Sequence, residues 1–313
     1  MLGRIAFLGS GAFGVPLLRR LPDLVDELLV VSRPDQPAGR GLRQRASPVA
    51  EAARTAGLPL LTPPGLRTAE ARHAIDEFAP DGLLLASYGE LVPRDLLAIA
   101  PRPPLNVHPS LLPRHRGAAP VAATILAGDP EAGVSLMIMV ERLDAGPVVG
   151  QWRVPLDGRE QALELEARLG DLAAEVVPAS LDAWATATLD PQPQDEALAT
   201  YQPAFRRADG WIDWSASAET IDRQVRALQP WPGAWTLLDG RRLHIRRAHP
   251  VPGLPGLPIG SLLPGTPPVV ACGLGALALE TVQPEGRPPM AAEAWRHGVS
   301  RDHVLLGGDA PPT

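Results

Sequence analysis

Apolar residues fall in short runs along the first 150 residues, and the runs alternate with stretches of helical periodicity. Arg4–Leu8, Glu27–Ser32, Gly82–Ser87, Leu105–His108 and Val134–Val140 read as strands, because brief apolar runs bounded by turn formers suit buried β-structure. Between them, Ser47–Ala56, Thr68–Phe78, Arg94–Ile99 and Ala119–Ala127 predict helices. Ser47-Pro48 has the form of an N-cap followed by proline at the first helical position, and Thr68 is a second cap candidate. Strands alternating with helices predict an α/β fold. Gln151–Val154 adds a strand, and Leu163, Leu165, Leu169, Leu172, Ala173 and Val176 give a long helix over Gln161–Thr186 its apolar stripe.

The pattern changes near residue 187. Leu189-Asp-Pro-Gln-Pro-Gln-Asp-Glu has linker composition. Further on, Leu243–Arg246, Gly260–Leu263, Val269–Cys272 and Ala276–Leu279 read as short strands separated by turns, which predicts a small β-barrel. The expected organisation is an α/β domain over residues 1–187, a linker over 188–205 and a β-barrel domain over 206–313.

Composition changes this picture little. A length of 313 residues accommodates two domains. The single cysteine, Cys272, excludes an internal disulfide and a CxxC metal site, and is expected in the barrel core. No apolar run has the length of a membrane span, and Met1-Leu-Gly-Arg runs directly into a strand where a signal peptide would stand. A cytoplasmic protein with no membrane partner is expected. The net charge of −6 is unevenly spread: residues 1–200 hold 18 Arg against 25 acids, residues 201–313 hold 11 against 10. All 29 basic residues are arginine, a good phosphate ligand, so a local basic face remains available.

Two patterns suggest chemistry. Gly9-Ser-Gly11-Ala-Phe-Gly14 follows a strand and opens a helix, the setting of a dinucleotide fingerprint. The pattern is short, and tight strand-to-helix turns need glycine for steric reasons alone, so no NAD(P) is expected. The second pattern is richer. Strand alternation puts Asn106 and His108 on one face, at the C-terminal end of a strand, where open α/β sheets place their ligand crevice. Asp144 lies in a turn after a later apolar strand, able to orient His108 and favour its protonated form. Taken singly, Asn106 and Asp144 are also turn formers and His108 a half-buried histidine. Together an amide, an imidazole and a carboxylate can polarise a carbonyl, stabilise an oxyanion and move a proton.

Asn106-Val-His108-x-Ser110-Leu-Leu-Pro113-x-x-Arg116-Gly117-Ala-Ala-Pro120, with Leu143-Asp144-x-Gly146, closely resembles the folate-dependent formyltransferases. The resemblance implies a Rossmann-like catalytic domain and an OB-like C-terminal barrel. It implies 10-formyltetrahydrofolate as co-substrate, with no metal, and catalytic roles for Asn106, His108 and Asp144. Ser110, Leu111, Leu112, Pro113 and Gly117, with Ser87, Tyr88 and Gly89, correspond to the folate-binding neighbourhood.

Three features favour the branch of the family that formylates initiator methionyl-tRNA. Arg33 to Pro48 resembles that branch's inserted basic loop, with Arg40, Arg43 and Arg45 suited to phosphate contacts. Ile212-Asp-Trp214 and Arg226-Ala-Leu-Gln-Pro-Trp231-Pro-Gly-Ala-Trp235 resemble the start of its C-terminal domain, with Trp231 and Trp235 expected in the core. Pro284-Glu-Gly-Arg-Pro-Pro-Met290 resembles a late turn. Pro109 and His115 depart from the branch pattern. Ala204 stands where lysine is usual, and Arg206 and Arg207 are the substitutes for its charge. Sugar-nucleotide and purine formyltransferases and formyltetrahydrofolate hydrolases are the alternatives within the family. A monomer is expected.

Overall fold

The computed structural model describes residues 2–38, 43–253, 256–263, 265–299 and 304–308, with the backbone alone at residues 38 and 43. Arg40 therefore lies outside the described residues, as does the side chain of Arg43. The chain divides into two compact units. One takes the residues up to Val121, Glu131–Pro155 and Glu164–Pro203, and the other takes Ala122–Pro130, Leu156–Leu163 and the chain from Ala204 on.

In chain order the first elements are β1 (Arg4–Gly9), α1 (Gly14–Arg20), β2 (Glu27–Val31), β3 (Gln36–Ala38), β4 (Arg43–Arg45), α2 (Pro48–Thr55), β5 (Leu60–Leu61) and α3 (Ala69–Phe78). They continue with β6 (Gly82–Ala86), α4 (Arg94–Leu97), β7 (Leu105–His108), β8 (Arg116–Gly117), α5 (Pro120–Ala127), β9 (Glu131–Ile138), β10 (Val148–Pro155), α6 (Ala162–Ala185) and β11 (Tyr201–Gln202). One sheet has the order β10-β9-β7-β6-β1-β2-β5. Its β1, β2, β5, β6 and β7 pair in parallel, whereas β9 and β10 run antiparallel. The expected Rossmann-like α/β fold is what is observed. The caps hold as expected: Ser47 Oγ accepts from Ala50 N (3.0 Å) and Thr68 Oγ1 from Ala71 N (3.2 Å). Ala6, Leu8, Val31, Ile75, Leu83 and Leu85 form a core cluster that includes the ring of Tyr88.

The glycines after β1 have a steric explanation inside the chain. A Cβ at Gly11 would lie 2.9 Å from Ser87 Cβ, and Cβ atoms at Gly9 and Gly14 would each lie 3.0 Å from Ala86 O. The amides of Ser10 and Gly11 donate to Ser87 O (3.0 and 2.9 Å). The turn is thus packed against the end of β6 by its own backbone.

The stretch expected as a basic loop contains a hairpin, in which β3 pairs antiparallel with β4. Three serine hydroxyls pin its base: Ser32 Oγ lies 2.6 Å from Ser47 Oγ and 3.4 Å from Ser10 Oγ. Arg45 is exposed.

The second unit adds α7 (Ala218–Ala227), β12 (Ala234–Leu238), β13 (Arg241–Val251), β14 (Ser261–Leu263), β15 (Val269–Ala271), β16 (Ala276–Pro284), β17 (Met290–Ala291), α8 (Ala292–His297) and β18 (Val304–Leu305). Its sheet follows the path β12-β13-β16-β15-β14-β18, with β17 on β16, and every pairing is antiparallel. Gly307 N donates to Leu237 O (3.0 Å), which brings the chain after β18 back to β12 in a barrel-like curl. Its core includes Ile212, Trp214, Ile221, Ile245, Leu277 and Cys272, whose thiol burial pushes up to about 11. Trp235 is buried and meets Trp211 edge-on at 5.1 Å. Trp231 corrects the expectation: it is 61% exposed. It sits between Pro230 and Pro232 in the turn before β12, off any periodic face, and the core positions are taken by Ala234, Trp235 and Thr236.

Candidate active site

Asn106 and His108 end β7 in the middle of the sheet. Asn106 lies opposite Met137 and His108 opposite Ser135, both on β9. Asp144 lies in the turn between β9 and β10, with a left-handed backbone (φ 49°). All three side chains are buried. One carboxylate oxygen is fixed, because Gly117 N donates to Asp144 Oδ2 at 2.8 Å. The other, Oδ1, faces Asn106 Nδ2 at 3.5 Å and His108 Nδ1 at 3.8 Å. His108 Nε2 lies 3.0 Å from His115 O. A carbonyl only accepts, so Nε2 carries a proton, and Nδ1 is the nitrogen turned towards Asp144. Asn106 Oδ1 is buried and has no hydrogen-bond partner among the described residues.

Asn106 Nδ2 and His108 Nδ1 converge on one carboxylate oxygen at distances too long for good hydrogen bonds, and with Nε2 carrying a proton Nδ1 donates only when the ring is doubly protonated. They remain available to a substrate oxygen, in a setting where burial strengthens each interaction. Several neighbours adopt positive φ: Ser87 (50°), Gly89 (85°), His115 (59°) and Gly117 (107°). Left-handed serine, histidine and aspartate are uncommon, and such conformations persist where surrounding structure imposes them.

The 110–113 turn is held from two strands. Ser135 Oγ donates to Ser110 O (2.7 Å) and accepts from Leu112 N (3.1 Å) and Gln151 Nε2 (3.0 Å). Gln151 Nε2 also donates to Leu112 O (2.6 Å), and Ser110 Oγ donates to Arg114 O (2.8 Å). Leu112–Pro113 is a cis peptide. Leu111 packs over Gly133, where an added Cβ would lie 2.4 Å from Leu111 Cδ2. Ser135 and Gln151 escaped the sequence reading, because a polar residue inside an apolar strand gives no sign of which loop it serves.

A third group surrounds Arg116, which stands in the sequence motif without a role, and its partners Gln194, Glu196 and Tyr201 were not singled out. Arg116 is fully buried, and its guanidinium donates to Gln194, Glu196 and Tyr201. Glu196 is held at about 2, first by its hydrogen bond to Arg116 and then by that to Arg142. β8 pairs in parallel with β11, so residues expected to be slack linker lie across the Arg116–Gly117 strand. The 190–203 segment groups with the first unit.

Not every expected residue lies at this point. Tyr88 directs its ring into the core, and burial raises its hydroxyl to about 12, so the 87–89 loop offers the site its backbone and Ser87. Gly117 commits its amide to Asp144. Arg206 and Arg207 are exposed in the second unit, while Arg45 belongs to the hairpin of the first. Among the described residues there is no cluster of three or more His, Cys, Asp or Glu placed to hold a metal, and no helix long and apolar enough to cross a membrane.

Residues 3–181 match the family model described as formyl transferase, and residues 205–300 match that of the formyl transferase C-terminal domain. The chain belongs to the formyl transferase family. Family membership agrees with the Rossmann-like domain and the curled antiparallel sheet seen here. A methionyl-tRNA formyltransferase of Roseiflexus sp. (strain RS-1) is 44% identical over 310 residues, covering 98% of this chain and 94% of that protein. Among solved structures, WlaRD, a sugar 3N-formyl transferase crystallised in the presence of dTDP and 5-N-formyl-THF, superposes with a TM-score of 0.68 at 14% identity, over 92% of this chain and 100% of that one. An N-formyltransferase of Helicobacter canadensis, in complex with folinic acid and dTDP-3-aminofucose, gives 0.62 at 14% identity, over 89% and 99%. These last two likenesses concern the formyl transferase fold.

Proposed function

We propose that this formyl transferase moves the formyl group of 10-formyltetrahydrofolate to the α-amino group of methionyl-initiator tRNA. The full-length similarity to methionyl-tRNA formyltransferases supports the choice of acceptor. The observation that carries the chemistry is the convergence of Asn106 Nδ2 and His108 Nδ1 on Asp144 Oδ1 at 3.5 and 3.8 Å. The partnerless Asn106 Oδ1 fits an N–H of the attacking amine, and the braced 110–113 turn fits the folate side.

The amine attacks in its neutral form, and its addition puts negative charge on the formyl oxygen. Asn106 and protonated His108 donate to that oxygen, while His115 O keeps the imidazole oriented through Nε2. Asp144 stabilises the imidazolium and relays the amine proton by way of water to N10, so that collapse of the adduct breaks the bond between the formyl carbon and N10 and releases tetrahydrofolate. Ser87, Gly89 and Ser110–Pro113 line the folate side, with Gly117 acting through Asp144. In this reading residues 1–187 carry the chemistry. Residues 206–313, Arg206 and Arg207 among them, contact tRNA, and so do Arg40, Arg43 and Arg45. The enzyme acts as a cytoplasmic monomer.

The test is transfer of radiolabelled formyl from 10-formyltetrahydrofolate, run in parallel on charged initiator tRNA, charged elongator tRNA, glycinamide ribonucleotide and water. Product on initiator tRNA alone is the expected result; preferential use of any other acceptor overturns the reading. Asn106→Ala and His108→Ala should each lower kcat by about two to three powers of ten. Near-normal turnover in either would remove that residue from the chemistry.

A further inference from the structure

Gln194 comes from a stretch, Pro-Gln-Pro-Gln-Asp-Glu, with the composition of a connector. Its side-chain amide nevertheless uses its full hydrogen-bonding capacity at the catalytic turn. Nε2 donates to Asp144 O (2.8 Å) and to Gly146 O (2.7 Å). Oε1 accepts from Arg116 Nε (3.0 Å) and Nη2 (2.7 Å). A guanidinium only donates and a backbone carbonyl only accepts, so this orientation of the amide is fixed by its partners.

The geometry ties Gln194 to Asp144 along two routes. Directly, the amide grips the carbonyl of Asp144, a residue held at φ 49°. Gly146, whose carbonyl it also holds, lies so close to β9 that a Cβ would meet Ile138 O at 1.8 Å. Indirectly, Gln194 holds buried Arg116, whose neighbour Gly117 donates its amide to Asp144 Oδ2. A Cβ at Gly117 would lie 2.3 Å from Gln202 O, so the same stretch of chain closes over this point too. Further bonds extend the strap. Arg116 N donates to Thr200 O (2.9 Å), His115 N to Thr200 Oγ1 (2.8 Å) and Ala118 N to Gln202 O (2.9 Å). Val148 and Gln192 exchange backbone bonds of 2.8 Å beyond the other end of the Asp144 turn.

We propose that Gln194 is a positioning residue for Asp144, and that residues 192–202 form a strap setting where the catalytic carboxylate stands. The inference rests on the catalytic roles given above to Asn106, His108 and Asp144. Gln194 touches no reacting atom. It fixes the backbone that carries Asp144 and, through Arg116, the amide that orients its carboxylate.

Gln194→Glu separates these contacts. A carboxylate still accepts from Arg116, but it cannot donate to the carbonyls of Asp144 and Gly146. With the full-length enzyme, kcat is expected to fall about tenfold or more while KM for each substrate stays within about twofold, the pattern of a contact felt in the transition state. In an Asp144→Asn background the same change should cost less than about twofold, because a residue acting through Asp144 loses its effect once Asp144 is altered. Wild-type kcat in Q194E, or effects that multiply in the double variant, would overturn the proposal. Should Q194E fail to fold, Gln194→Ala, which leaves room for water, goes through the same cycle under the same criteria. Full activity of N106A and D144N would instead sink the catalytic reading itself. Their loss of activity beside an unaffected Q194E would sink only the strap.

Discussion

The Ser135 hydroxyl donates to Ser110 O and accepts from Leu112 N in the 110–113 turn and from Gln151 Nε2 on β10, which itself holds Leu112 O. Replacing it with alanine leaves Leu112 N and Ser110 O short of a partner in a buried setting, a local cost of roughly 1–3 kcal/mol. Ser135→Ala should therefore raise the dissociation constant for the folate substrate by about tenfold, since 1.4 kcal/mol is a factor of ten, and leave the KM for tRNA unchanged. Isothermal titration with tetrahydrofolate checks this; unaltered affinity would mean the turn keeps its shape without Ser135. Asn106, His108 and Asp144 were legible from sequence because strand alternation and chain position put them at one crevice. Ser135 and Gln194 were not, since each works through a partner distant in sequence, 25 residues away for Ser110 and 50 for Asp144. Trp231 was misread because an aromatic type suggests burial, whereas a turn between two prolines decides exposure.

Long elements with a clear period were read well. The strand expected at Leu105–His108 is β7, and the helix expected at Gln161–Thr186 is α6 less its ends. The second unit was read too short: β13 spans Arg241–Val251 and β16 spans Ala276–Pro284, because arginines and Pro250 in β13, and Glu280, Thr281 and Gln283 in β16, interrupt the apolar runs. β8 and β11 have two residues each, too few for any periodicity to show. In the proposed function the β3–β4 stretch contacts the tRNA acceptor. Changing Arg40, Arg43 and Arg45 together to alanine should raise the KM for charged tRNA and flatten its dependence on salt, because fewer counterions are released on binding. Folate affinity should stay unchanged. A salt slope identical to that of the unaltered enzyme would return these arginines to an ordinary solvated role.

Across the whole molecule, stability should respond to acid through the second unit. His244 on β13 is half-buried beside Arg246, Arg242 and Arg207, and burial first, then these cations, lowers it from 6.5 to about 4. The unfolded chain therefore takes up a proton between about pH 6.5 and 4 that the folded chain refuses, and folding stability falls as pH drops through that window. Thermal melts across it should show a shallower decline for His244→Gln than for the unaltered protein; parallel curves would exclude His244 as a source of the slope. The strap has a different consequence, one of timing. Its bonds to Arg116 join residues 78 to 85 apart, and closing so long a loop belongs to the slower events of folding. Synthesis delivers the chain from its N-terminus. Asn106, His108 and Asp144 leave the ribosome well before Gln194, Glu196 and Tyr201, so on the proposed roles a nascent chain carries its catalytic groups for some time without the strap that would align them. On that proposal, competence arrives only when the chain through residue 202 has emerged and folded back.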